Sequence, residues 1–91
     1  MKKKMGDRMA EIRIYALTTC PHCKKAVEYL RKSGVDFEAI YIDKLEGEKR
    51  KEVIEEVNKI SGSYSVPLIV KGDKFVLGYV ESKIRELVYE G

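Results

Sequence analysis

The chain of 91 residues contains two cysteines and one histidine, and all three fall within one tetrapeptide, Cys20-Pro21-His22-Cys23. Thiols at this spacing serve as a redox pair, as half of a metal site, or as a local structural bridge. A bridge over two intervening residues closes a very short loop and removes little entropy from the unfolded chain. The reducing cytoplasm also works against a purely structural disulfide. A structural zinc wants four ligands, and Cys20, His22 and Cys23 have no second cysteine or histidine cluster to complete one. Thiol–disulfide exchange is the chemistry this stretch favours.

Exchange needs one thiol that ionises readily and one held in reserve. The residues around the pair arrange for both. Proline suits the first turn of a helix, where its missing N–H costs nothing, so Pro21 predicts a helix start directly after Cys20. The unpaired N–H groups and positive dipole end there stabilise an anion and lower a thiol pKa. Lys24, Lys25 and, when protonated, His22 add positive potential. A solvated surface role is the simpler reading of Lys24. Cys23 falls about one turn further on and faces inward. Cys20 is thus the expected nucleophile and Cys23 the resolving thiol, with Pro21, His22 and Lys24 tuning the pair.

Hydrophobic periodicity supplies the elements that must hold this site. Residues 11–17 alternate and favour a strand. Ala26, Val27 and Leu30 recur at helical spacing over 21–32, and Gly34 suits the end of that helix. Residues 35–42 read as a second strand, parallel to the first through a right-handed β-α-β crossover. Residues 48–60 form a second helix with a buried stripe of Val53, Ile54, Val57 and Ile60. Residues 68–70 and 74–77 are short strands joined at Gly72-Asp73, a tight hairpin. Residues 81–90 make a last helix with Ile84, Leu87 and Val88 facing in. The order is β-α-β-α-β-β-α, in one domain over 11–91 behind a flexible lead at 1–10.

Composition excludes several functions. Charged residues make up 36% with a net charge of only +3, and lysines alternate with glutamates, so no nucleic-acid footprint is present. No apolar run has the length of a signal peptide or a membrane span, which places the protein in the cytoplasm. Glutamine is absent and Asn58 is the single asparagine, a bias seen in heat-adapted proteins.

With these residues in place, the chain resembles a small glutaredoxin-like redoxin of the thioredoxin superfamily over about residues 11–90. The Cys-Pro-x-Cys motif matches Cys20-Pro21-His22-Cys23. Ser65-Val66-Pro67 matches the cis-proline loop that faces the dithiol, where Val66 would offer its backbone to a bound peptide or glutathione. Gly78, Tyr79 and Glu81 match the region where glutaredoxins bind the end of glutathione. Thr19, Val66, Pro67, Gly78, Tyr79 and Glu81 are therefore the substrate-binding candidates, and Tyr64 is a weaker one. Two positions depart from the family pattern. Leu17 stands where many members have a lysine, and Leu77-Gly78-Tyr79-Val80-Glu81 lacks one glycine and one aspartate of the usual run. Cys-Pro-His-Cys is also similar to the motif of periplasmic disulfide oxidases, in which the disulfide is strongly oxidising.

The resemblance implies a thioredoxin-like α/β fold, with a four-stranded mixed sheet, helices on both faces, and the first strand between the second and third. It implies a monomeric thiol–disulfide oxidoreductase that needs no cofactor beyond its own sulfurs. The implied partners are disulfide-containing proteins, ribonucleotide reductase among them, and a reductase of the thioredoxin-reductase or ferredoxin-dependent type in preference to glutathione. The alternatives are a metal or iron–sulfur carrier using Cys20 and Cys23, a cytoplasmic disulfide oxidase or isomerase, and a non-catalytic interaction module.

Overall fold

The computed structural model describes residues 11–90, so the lead at 1–10 lies outside the described residues. Strand β1 (Ile12–Ala16) runs into helix α1 (Pro21–Lys32), followed by β2 (Phe37–Tyr41), a 3₁₀ turn (Ile42–Lys44), α2 (Gly47–Ser61), the hairpin β3 (Leu68–Lys71) and β4 (Lys74–Leu77), and α3 (Glu81–Glu90). The sheet order is β2-β1-β3-β4, with β1 parallel to β2 and antiparallel to β3. β3 and β4 pair antiparallel.

Alternation along β1 sorts its side chains between two cores. Ile12 and Ile14 join Ala26, Leu30, Ile84 and Leu87 on the side of α1 and α3. Tyr15 points the other way and packs with Val53, Val57, Leu68 and Val70 under α2. Tyr15 is fully buried, and that burial pushes its phenol pKa up to about 12, so it remains neutral. Arg13 shares its face, with its guanidinium carbon 5.7 Å from the Tyr15 ring centroid and 3.6 Å from the Glu56 carboxylate at its terminal nitrogen.

The expected element order holds, and α1, β4 and α3 have the expected bounds. Four elements differ at their ends, β3 only by the added residue Lys71. β1 stops at Ala16, because Leu17 leaves the ladder to open a turn that closes with Cys20 N–H on the Leu17 carbonyl at 3.3 Å. β2 begins at Phe37 and ends at Tyr41, and Ile42 reaches the α2-side core from the 3₁₀ turn instead of from the strand. α2 is one residue longer at each end and stops at Gly62, whose φ of 77° is a left-handed C-cap conformation that glycine adopts without a Cβ penalty. Ile54 and Ile60 of the expected stripe are only partly buried, while Val53 and Val57 are buried.

Ile14 is fully buried on the central strand. Ile14→Ala is expected to cost about 2–5 kcal/mol of unfolding free energy, the usual cost of an aliphatic-to-alanine cavity. Urea denaturation of the reduced protein measures it.

Candidate active site

Strand register fixes which loops meet. Ala16 pairs with Tyr41, Tyr15 with Leu68, and Leu68 with Leu77. The C-terminal ends of β1, β2 and β4 and the N-terminal end of β3 therefore lie at one end of the sheet. Four segments gather there: Leu17–Cys20, Ile42–Lys44, Val66-Pro67 and Gly78–Glu81. The Val66–Pro67 peptide is cis, and Pro67 is buried. Its carbonyl accepts a 2.8 Å hydrogen bond from the Gly78 N–H, which ties the proline loop to the segment before α3.

The cysteine pair opens α1. Cys20 is the N-cap, in extended conformation with φ −90° and ψ 117°, and Pro21 occupies the first helical position. The Cys23 N–H donates to the Cys20 sulfur at 3.3 Å, the bond an N-cap acceptor makes. The Cys20 carbonyl accepts the Lys24 N–H at 3.0 Å, the first bond of the helical ladder. Cys20 is partly exposed, whereas Cys23 has no exposed surface.

These surroundings drive the two thiols apart. Slight burial opposes ionisation of Cys20, but the neighbouring Cys23 thiol and the N–H groups of Cys23 and His22 outweigh it and lower its pKa. Burial raises the pKa of Cys23, and the adjacent Cys20 sulfur and the Asp43 charge raise it further. One thiol is accessible and acidic; the other is enclosed and protonated.

The other expected site residues take definite places. Thr19, Pro21, His22 and Lys24 are exposed around Cys20. His22 acts on Cys20 through its backbone N–H. Val66 is half-buried against the α2-side core. Gly78 has a φ of 92°, which suits glycine. The Tyr79 hydroxyl donates to the Glu81 carboxylate at 3.3 Å, at the start of α3. Tyr64 is 66% exposed near the proline loop. Among the described residues, no three His, Cys, Asp or Glu side chains gather as a metal site requires, and no helix is long and apolar enough to cross a membrane.

Sequence reasoning missed Thr18 and Asp43. The Asp43 carboxylate accepts the Thr18 N–H at 3.1 Å and 3.3 Å on its two oxygens, and the Thr18 hydroxyl also donates to it. The partners are 25 residues apart in sequence. Only the parallel pairing of β1 and β2 brings them together, and local pattern carries no trace of it.

The glutaredoxin family model matches residues 12–76, which span the dithiol and the proline loop. The chain belongs to the glutaredoxin family. A solved glutaredoxin from Archaeoglobus fulgidus is 65% identical, with a TM-score of 0.87 over 89% of this chain and 88% of its own. A methanoredoxin from Methanosarcina acetivorans is 37% identical, with a TM-score of 0.83 over 88% of this chain and 85% of its own. Glutaredoxin 3 of Escherichia coli is 41% identical over 61 residues, 67% of this chain and 68% of that protein. The four-stranded mixed sheet with three helices is thus the glutaredoxin form of the thioredoxin-like fold.

The contrast between the two thiols of this glutaredoxin has a direct readout. Iodoacetamide should modify Cys20 with a pH midpoint below that of free cysteine, about 8.5. Cys23 should stay unmodified across the same range in the folded protein. Mass spectrometry of the reduced protein, quenched across a pH series, measures both.

Proposed function

We propose that this glutaredoxin reduces disulfides in partner proteins with the Cys20–Cys23 dithiol. The observation that carries the reading is Cys20 sulfur held as the N-cap of α1 by the Cys23 N–H, beside a fully buried Cys23. The Cys20 thiolate attacks one sulfur of a substrate disulfide. A Cys20–substrate bond forms, the substrate S–S bond breaks, and the first substrate thiolate leaves and takes a proton. Cys23 then loses its proton and attacks the Cys20 sulfur. The intramolecular disulfide forms and the second substrate thiol departs, so two electrons have moved from the dithiol to the substrate. The electrons reside on the sulfurs, and the reaction calls for no resident cofactor. The exposed side chains of Thr19 and Glu81, the half-buried Val66 and Tyr79, and the backbone at Pro67 and Gly78 border the place where a substrate chain would lie.

A reductase protein suits this chain better than glutathione as the electron source. Where a glutathione carboxylate would meet a lysine, and its ammonium group an aspartate, in the family pattern, this chain has Leu17 and Val80. Leu17 packs against the α2-side core, and Val80 is 41% exposed just before α3. Neither forms an ion pair or accepts a side-chain hydrogen bond. A reductase of the thioredoxin-reductase or ferredoxin-dependent type, reading the surface around Cys20, recharges the pair in a reducing compartment such as the cytoplasm.

Cys23→Ser should accumulate a mixed disulfide with a protein substrate, and Cys20→Ser should trap none. The midpoint of the wild-type pair against dithiothreitol buffers should fall near the thioredoxin value of about −270 mV. A midpoint of about −120 to −180 mV would instead make the pair an oxidase or isomerase. Failure to titrate as a two-electron couple would end the redox reading.

The glutathione contrast has its own test. The double variant Leu17→Lys, Val80→Asp should accelerate reduction of the Cys20–Cys23 disulfide by glutathione about tenfold or more, as two charge-assisted contacts become available. Stopped-flow reduction by glutathione measures it.

A further inference from the structure

We infer that Asp43 is a positioning residue for the nucleophile, acting through Thr18 to hold the turn that delivers Cys20 to the N-cap of α1. The inference rests on the redox reading and adds a residue to it.

The observations form a continuous line. Arg50, in the first turn of α2, donates to the Leu45 carbonyl at 3.1 Å and to the Asp43 carbonyl at 3.4 Å. Those bonds fix the backbone between β2 and α2. The Asp43 carboxylate then binds Thr18 through both its N–H and its hydroxyl. Thr18 and Thr19 are the central residues of the turn that the Cys20 N–H closes on Leu17. Cys20 leaves that turn, and its sulfur must then face the Cys23 N–H. A turn with one of its two central residues pinned on both polar groups has little freedom to rotate. The pin comes from outside the turn, from the 3₁₀ segment that follows the neighbouring strand β2.

Asp43 has two ways to act on the dithiol, and they have opposite signs. As a negative charge it disfavours a thiolate, so removing it by field alone would make the thiols more acidic. As a clamp it aligns the Cys20 sulfur with the N–H groups that stabilise the thiolate, so removing it would make Cys20 less acidic. Asp43 is exposed, where water and salt screen its field. The hydrogen bonds to Thr18 favour its ionised form and lower its own pKa, so the clamp stays closed through the neutral range. The groups that act on Cys20 are Cys23 and the main chain of His22 and Cys23; those that act on Cys23 are Cys20, the Leu17 main chain and Asp43. The Asp43 charge bears on the resolving thiol, while its hydrogen bonds to Thr18 link it to the nucleophile through the turn.

The test is the pH profile of Cys20 alkylation in four reduced full-length variants, Asp43→Asn, Asp43→Ala, Thr18→Val and Thr18→Ser. Asp43→Ala should raise the Cys20 midpoint by about one pH unit, a tenfold loss of thiolate at fixed pH below it. The rate there should fall only about threefold, because a more basic thiolate is a better nucleophile. Thr18→Val, which keeps the carboxylate charge and removes one donor, should shift the midpoint the same way by less. Thr18→Ser, which keeps the hydroxyl, should restore the wild-type profile. A fall of the midpoint in Asp43→Asn and Asp43→Ala would show that Asp43 acts by field and overturn the clamp. A loss of stability with an unmoved midpoint in the folded protein would also overturn it. If Asp43→Ala fails to fold, the Thr18 pair decides the question alone. A wild-type protein whose dithiol does not cycle would sink the redox reading instead, and that outcome is read before any variant is compared.

Discussion

The start of α1 wants an acceptor, and the acceptor available is the Cys20 sulfur. The helix presents N–H groups with no partner inside the helix, and Pro21 removes one of them by having none. The Cys23 N–H turns to the Cys20 sulfur. A thiolate is a far better acceptor than a sulfur in a disulfide, so the same helix end that caps itself with Cys20 favours the reduced, ionised state of the pair. Structure and chemistry use one atom. The position of that atom depends in turn on β1 ending at Ala16 and on the turn that follows it.

The sheet makes such placement possible by bringing segments distant in sequence to one end. β1 is the central strand that connects the parallel pairing with β2 to the antiparallel pairing with β3. Its exit is therefore flanked by the end of β2 on one side and the start of β3 on the other. Asp43 comes from the first side and Val66-Pro67 from the second. The Gly78 N–H, bonded to the Pro67 carbonyl, adds the approach to α3. Residues 18–24 are contiguous and come from the β1–α1 connection and the start of α1. Every other contribution to the site depends on strand register, and strand register depends on the two apolar faces of β1. A one-residue slip would exchange Ile14 for Tyr15 between the cores and carry Thr18 away from Asp43.

What local sequence could disclose follows from this division. Helix α1 was legible to both ends, because Pro21 marks its first turn and Gly34, with φ 74°, follows its last. The inward faces of α1 and α3 followed from their period. The end of β2 was not legible: Ile40, Tyr41 and Ile42 continue an apolar run, and nothing in it says that Ile42 turns into the core from a 3₁₀ segment. The dithiol and its proline were visible as residue types at fixed spacing. The Thr18–Asp43 contact was invisible, since an aspartate after a strand has no preferred partner until the adjoining strand is known. The low pKa of Cys20 was expected from lysines and a helix end; the contacts assign it to the N–H groups and thiol of the helix end.

The departures from the family pattern bear on the same economy of space. Leu17 is the first residue of the turn that leads to Cys20, and its side chain goes down to the α2-side core, not across the mouth of the site. There it adds apolar burial beneath a loop that must hold the nucleophile steady. A lysine in its place would give up that packing to keep a charged head in water. The same position can anchor the turn or recognise an anion, and this sequence anchors it. Asp43 anchors that turn by hydrogen bonds from the 3₁₀ segment after β2. The turn before Cys20 is thus held by apolar packing through Leu17 and by hydrogen bonds through Thr18.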